Sequence, residues 1–241
     1  MNRVLPVLLL LALAAALPAQ SGPQKEVRAG DRLTWLAAWS LREAGAGEEA
    51  EPIRFARFLD PPLASVEAPN ETAAESAERP APKGPRFLLL CFWSPSCPWQ
   101  NAWDPELDAI AREYRPLGVA TLAIASNAED NADPKRILER KQKAGLGFPI
   151  LLDPHNELAD RFGARTTPHI FLLDRSGRVL YTGAIDDDAH RKKPVEKRRT
   201  WLRDALAAAI AGRPIPVTSS PPQGCGIHRE KKKPADRPLR R

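Results

Sequence analysis

Residues 87–104 read FLLLCFWSPSCPWQNAWD, and this stretch decides the fold. Its first seven residues, Phe87–Trp93, form an unbroken apolar run with the length and composition of a buried strand. A Ser-Pro-Ser turn follows and delivers Cys97 to the start of a predicted helix that reaches Tyr114. A thiol at such a place meets unpaired backbone N–H groups and the positive end of the helix dipole. Both favour the thiolate, the nucleophilic form. Cys97 is therefore the candidate reactive cysteine.

Outward from this unit the alternation continues. Residues 118–126 (GVATLAIAS) predict a second buried strand. Asp133 and Pro134 open a helix, a capping side chain followed by proline at the first helical position, and Gly145 ends it. A short strand is predicted over 149–152 and a brief helix over 156–162, closed by Gly163. Strands at His169–Asp174 and Val179–Gly183 flank the turn Arg175, Ser176, Gly177. A final helix over 195–211 carries Leu202, Ala205, Leu206, Ala209 and Ile210 on one face and stops at Gly212. Strands alternating with helices, closed by a hairpin and a last helix, predict an α/β sandwich around one mixed sheet.

The flanks are of different character. Residues 1–19 begin Met-Asn-Arg, run apolar from Val4 to Leu17 and end in small residues, which reads as a cleaved secretory signal peptide. The mature chain is then expected in a periplasm or secreted, with no stable membrane insertion after signal cleavage. Residues 20–85 form an N-terminal extension and Pro/Ala-rich linker, with a short amphipathic helix over 33–44 that packs on the domain's own surface. The α/β domain takes 86–213, and 214–241 is a flexible segment with Cys225 and a basic tail. The formal net charge is +6, and +5 of it lies in residues 229–241, so the charge sits on a solvated tail and nucleic-acid binding is not expected. A second basic run, from His190 to Arg199, falls at the first turn of the last predicted helix, where positive charge opposes the dipole.

Three cysteines are too few and too odd in number for a disulfide scaffold. Cys91 lies inside the apolar strand and reads as a small buried hydrophobe. The four histidines are scattered without ligand spacing, so neither a metal nor any other cofactor is expected, and only His169 could approach Cys97.

At Phe92-Trp93, Cys97-Pro98 and Pro105, in FPILLD (148–153), in FGARTTP (162–168) and in FLLDRSGRVLY (171–181), the chain resembles the thioredoxin-fold redoxins. This group includes TlpA-like thiol oxidoreductases and the alkyl hydroperoxide reductase/thiol-specific antioxidant family. The resemblance spans about residues 86–213 and implies a thioredoxin-like three-layer α/β/α sandwich. It also implies a cis bond between Thr167 and Pro168 facing Cys97, and thiol-based redox chemistry. Two departures stand out. The dithiol pattern Cys-x-x-Cys ends here at Gln100, which cannot attack a mixed disulfide. The peroxidase pattern has its hydroxyl at Ser94, three residues before Cys97, but Leu90 where it has proline.

A subgroup of secreted redoxins with one active-turn cysteine is closer still, through Ile185-Asp186-Asp187 and Gly224-Cys225-Gly226-Ile227. The likeness implies that Cys225 resolves Cys97 after oxidation; exposure, or pairing between chains, is the plainer reading of Cys225. The candidate catalytic residues are thus Cys97 and Cys225. Ser94, Pro98, Trp99, Gln100, Thr167 and Pro168 are the active-turn and substrate-binding candidates. Trp99 either offers an aromatic plate to substrate or packs on a neighbouring loop. The expected function is reduction of a peroxide or exchange with a disulfide, with an external thiol as reductant. The alternative is a binding module that has lost turnover and docks extended peptides beside Pro168.

Overall fold

The structure, a computed structural model, describes residues 26–47, 49–60 and 84–230. The expected signal peptide, most of the expected linker and the basic end of the tail lie outside the described residues. Among the described residues no helix is long and apolar enough to cross a membrane. The elements, in chain order, are Ser40–Leu41 (β1), Ile53–Arg54 (β2), Phe87–Trp93 (β3), Pro98–Tyr114 (α1), Val119–Ala125 (β4), Ala128–Ala132 (α2), Pro134–Ala144 (α3), Ile150–Leu152 (β5), Glu157–Phe162 (α4), Thr166–Thr167 (β6), His169–Asp174 (β7), Val179–Gly183 (β8), Trp201–Ile210 (α5) and Cys225–Gly226 (β9).

Five strands form the central sheet in the order β5-β4-β3-β7-β8. β3, β4 and β5 run parallel, and β7 and β8 are antiparallel to their neighbours. The sheet is therefore mixed, with helices on its faces, which is the thioredoxin-like α/β sandwich. β3 is hydrogen-bonded on both sides and all seven of its residues are buried, which is why its sequence shows no polar alternation. The period of two survives in the packing. Phe87, Leu89, Cys91 and Trp93 share a core with Trp103, Leu107 and Ile110 of α1 and Leu202 and Leu206 of α5. Leu88, Leu90 and Phe92 share another with Phe162 of α4 and with Leu36 and Phe55. Each large apolar side chain so enclosed contributes about 1.5–3 kcal/mol by leaving water.

The second core draws on residues before 86. Leu36 and Phe55 are fully buried, and Val27, Leu33, Leu41 and Leu59 nearly so. The helix expected over 33–44 is instead a 3-10 turn at Thr34–Ala38 followed by β1. Leu36, Leu33 and Leu41 reach the sheet from this irregular path, so the apolar spacing was satisfied without a helix.

α5 also begins later than the expected 195–211, and the basic run lies before it rather than in its first turn. Those bases face the acidic triplet after β8. Arg191 pairs with Asp186, Lys193 Nζ lies 2.8 Å from Asp187 and Arg198 Nε 2.9 Å from Asp188. The Lys192 and Lys193 backbone N–H groups also donate to Asp188, so this is a loop knotted by its own charges. Pro105 lies inside α1, where it has no N–H to give the carbonyl four residues earlier. Arg140 of α3 supplies the missing donor, with Nη2 3.3 Å from the Asn101 oxygen.

Candidate active site

The end of β3 and the start of α1 place Cys97 as the helix N-cap, with Pro98 at the first helical position and the Gln100 N–H donating to the sulfur at 3.4 Å. Cys97 is only 2% exposed. Its thiol has two acceptors within reach, the Thr167 carbonyl at 2.8 Å and the sulfur of Cys225 at 2.9 Å. The Thr167–Pro168 bond is cis, as the resemblance implied.

Cys225 is not on a loose tail. β9 pairs antiparallel with β6, Thr167 opposite Cys225 and Thr166 opposite Gly226. Before it, residues 218–220 follow the outer edge of β8: the Thr182 N–H donates to Thr218 O at 3.1 Å and the Ser220 N–H to Thr182 O at 3.0 Å. After it, the Ile227 N–H donates to Arg165 O, and His228 is gripped by Asn127 and Asn156. The flexibility expected of 214–230 is thus replaced by a belt along two strand edges. Edge pairing of a two-residue strand leaves no periodicity in sequence, and that is why the pattern missed it. Cys225 is partly exposed. Burial, then the hydrogen bond and charge of Cys97, push its thiol up to about 11, while the Trp99 backbone N–H pulls the other way.

The remaining candidates divide. Thr167 is fully buried, with its carbonyl on Cys97 and its hydroxyl without a hydrogen-bond partner. Trp99 packs its ring against His190, with centroids 4.6 Å apart, and against Trp103 at 6.3 Å, so the packing reading describes its position. The hydroxyl of Ser94 accepts from Asn127 at 2.9 Å and meets Ser96; only its carbonyl faces Cys97, accepting the N–H at 3.5 Å. His169 does not join the site. Its Nδ1 accepts the Arg165 N–H at 3.3 Å, which leaves Nε2 to donate to Thr182 Oγ1 at 3.2 Å.

Gln100 turns its side chain inward. Its amide donates to Asp104 Oδ1 at 3.0 Å and its carbonyl accepts the Cys91 thiol at 3.5 Å. Trp93 Nε1 donates to the same Asp104 oxygen at 2.9 Å, and Arg140 caps the other oxygen. Burial, then the charge of Asp104, holds the Cys91 thiol well above its ordinary pKa, and it packs as a hydrophobe. Asp104 was missed in sequence, although Gln100 and Asp104 stand four apart on one helix, a spacing that joins such side chains. Among the described residues no group of three or more His, Cys, Asp or Glu is arranged to hold a metal. A surface groove lined by Phe87, Arg178, Leu180 and Ile215 lies at the opposite end of β3 from Cys97.

The family model described as AhpC/TSA matches residues 62–182. Among curated proteins, thiol-disulfide oxidoreductase ResA of Halalkalibacterium halodurans is 28% identical over 102 residues, which is 42% of this chain and 56% of ResA. Thiol-disulfide oxidoreductase YkuV of Bacillus subtilis is 24% identical over 98 residues, 41% of this chain and 66% of that protein. The chain thus spans between about half and two thirds of the length of such relatives. Among solved structures, an uncharacterized conserved protein from Geobacillus kaustophilus aligns with TM-score 0.64 and 25% identity, covering 85% of this chain and 94% of its own. A hypothetical protein from Sinorhizobium meliloti 1021 aligns with TM-score 0.62 and 28% identity, covering 86% and 98%.

Proposed function

Because this chain belongs to the AhpC/TSA family, we propose that it is an exported thiol oxidoreductase in which Cys97 attacks the oxidised substrate and Cys225 resolves the product. The observation that carries this reading is the 2.9 Å approach of the two sulfurs across 128 residues of chain. On a disulfide, the Cys97 thiolate attacks one sulfur, forms a mixed disulfide and expels the other half as a thiolate. The Cys225 thiolate then attacks Cys97 Sγ, forms the Cys97–Cys225 disulfide and releases the second thiolate. An external dithiol returns both cysteines to thiols and leaves with the two electrons' worth of oxidation. On a peroxide, the Cys97 thiolate attacks one peroxide oxygen, breaks the O–O bond and releases an alcohol or water as it becomes a sulfenic acid, and condensation with the Cys225 thiol forms the disulfide and releases water.

The disulfide route leads, for two reasons. Curated relatives bear the name thiol-disulfide oxidoreductase. The Ser94 hydroxyl, which a peroxidase would turn to its cysteine, is bonded to Asn127. Export rests on the sequence of residues 1–19.

One equivalent of a small aromatic disulfide added to the reduced chain, followed by peptide mapping, tests the proposal. The expected product joins Cys97 to Cys225 and leaves Cys91 free. A product joining any other pair, or no loss of thiols, overturns it.

A further inference from the structure

Taking the resolving role of Cys225 from the proposed function, we propose that Asn127 is a positioning residue for that step. Its side-chain amide ties the active turn to the strand of Cys225 and, with Asn156, sets the place from which that sulfur attacks Cys97.

Both asparagines stand where a helix ordinarily claims the side chain. Asn127 is the N-cap of α2 and Asn156 the N-cap of α4, and neither side chain makes a cap bond. An N-cap asparagine commonly accepts an N–H from the first helical turn, so both amides have been turned to other work. In α4 the capping task passes to Asp153, whose carboxylate oxygens accept the Leu158 and Ala159 N–H groups at 2.8 and 2.9 Å. Asn156 itself takes φ +59, a left-handed conformation that asparagine adopts more readily than most residues.

The freed amides converge on residue 228. The His228 N–H can only donate, and this fixes the orientation of the Asn127 amide. Oδ1 accepts that N–H at 2.9 Å, which leaves Nδ2 to donate to Ser94 Oγ, also at 2.9 Å. The His228 carbonyl accepts the Ala128 N–H at 3.0 Å and Asn156 Nδ2 at 3.3 Å. Asn156 Oδ1 accepts the Glu230 N–H at 2.9 Å. Both asparagines are buried, so these groups have no ready exchange with water.

Ser94 carries the hold into the active turn. Its carbonyl accepts the Cys97 N–H at 3.5 Å and its hydroxyl the Ser96 N–H at 3.3 Å. A closed circuit results, from Cys97 through Ser94, Asn127 and His228, then back along Ile227 and Gly226 to Cys225. Ile227 is buried and its N–H donates to Arg165 O, which steadies the return path. The circuit ends where the two sulfurs lie 2.9 Å apart. In the resolving step the Cys225 thiolate bonds to Cys97 Sγ as the bond from Cys97 to the substrate sulfur breaks, and the substrate leaves as a thiolate. A step of this kind is sensitive to placement, since a shift of about 1 Å can cost about a hundredfold in rate. The earlier attack by Cys97 on an outside disulfide does not use Cys225.

The test is a single turnover of the reduced full-length chain with one equivalent of a small aromatic disulfide, followed by the absorbance of the released thiolate. The first equivalent released reads attack by Cys97, and the second reads closure onto Cys225. Asn127→Ala is expected to slow the second phase relative to the first by about tenfold or more. Asn156→Gly removes that amide while keeping the left-handed backbone accessible, and is expected to shift the same ratio in the same direction, by less. Urea unfolding of the reduced variants is measured alongside. A merely structural role would lower stability and leave the ratio of the two phases at the parent value, and that result overturns the inference. Should Asn127→Ala fail to fold, the ratio in Asn156→Gly decides alone. An unmodified chain that releases only one equivalent sinks the proposed function and the positioning role together, whereas two phases in the parent with an unaltered ratio in the variants sink the positioning role alone.

Discussion

Gln100 and Cys225 both stand against Cys97, one three residues along the helix and the other 128 residues away. Gln100 touches it only through a backbone N–H, while its side chain is sunk among Cys91, Trp93 and Asp104. Cys225 offers its side chain and is otherwise held by a two-residue ladder at a sheet edge. Helix position 100 is thus part of the core, and the second thiol lies on a separate short strand at a sheet edge. A dithiol on one helix turn keeps its resolving sulfur at a fixed distance. Here that distance is set by the pairing of β9 with β6.

The sharpest way to break this comparison is to remove one sulfur at a time. Cys97→Ser should lower disulfide reduction by roughly a hundredfold or more, because no other cysteine is placed to take its role. Cys225→Ser should leave the first attack within about threefold of the parent, yet lower turnover by about tenfold or more and let the Cys97 adduct accumulate. Mass spectrometry of the quenched reaction separates the two; an unhindered Cys225→Ser would return the resolving role to an outside thiol.

The next effect is on pH. Cys225, raised to about 11, is protonated at neutral pH and must lose its proton to attack. Resolution should therefore quicken by up to about tenfold per pH unit between 7 and 9. The contribution of Cys97 disappears once that sulfur is oxidised, so the rise should level off below 11. Stopped-flow measurement of disulfide closure from a preformed Cys97 adduct reads this, and a flat profile would contradict it.

The smallest effect belongs to Gln100. Gln100→Ala deprives Asp104 and Cys91 of buried partners and should cost about 1–2 kcal/mol in urea unfolding. Turnover should stay within about threefold of the parent. A large loss of turnover with unchanged stability would make Gln100 part of the chemistry instead of the core.

The same contrast marks what was legible in sequence. β3 and α1 were readable because burial on both sides makes a continuous apolar run, and because a turn, a proline and a helical period announce a helix start. The single mixed sheet with flanking helices followed from the alternation of strands and helices, whereas its strand order did not. The belt was not readable, since its hold comes from backbone groups of Thr166, Thr167 and Thr182 and from Asn127 and Asn156, which belong to other elements. Motif resemblance pointed to Cys225; periodicity had nothing to say of it. Nor did charge order reveal why His190 to Arg199 is basic. The answer lies in Asp186, Asp187 and Asp188, which a loop folds back onto it.

The 128-residue span between the two sulfurs has a consequence for the unfolded chain. A bond between them would close a loop containing α1, every later helix and four of the five central strands. Cross-linking a loop of that size removes enough freedom from the denatured ensemble to favour the native state by about 5 kcal/mol in the chain-entropy description. Oxidation would then act as a clamp on the whole domain, and the reduced and oxidised chains would melt at different temperatures although their folded backbones nearly coincide.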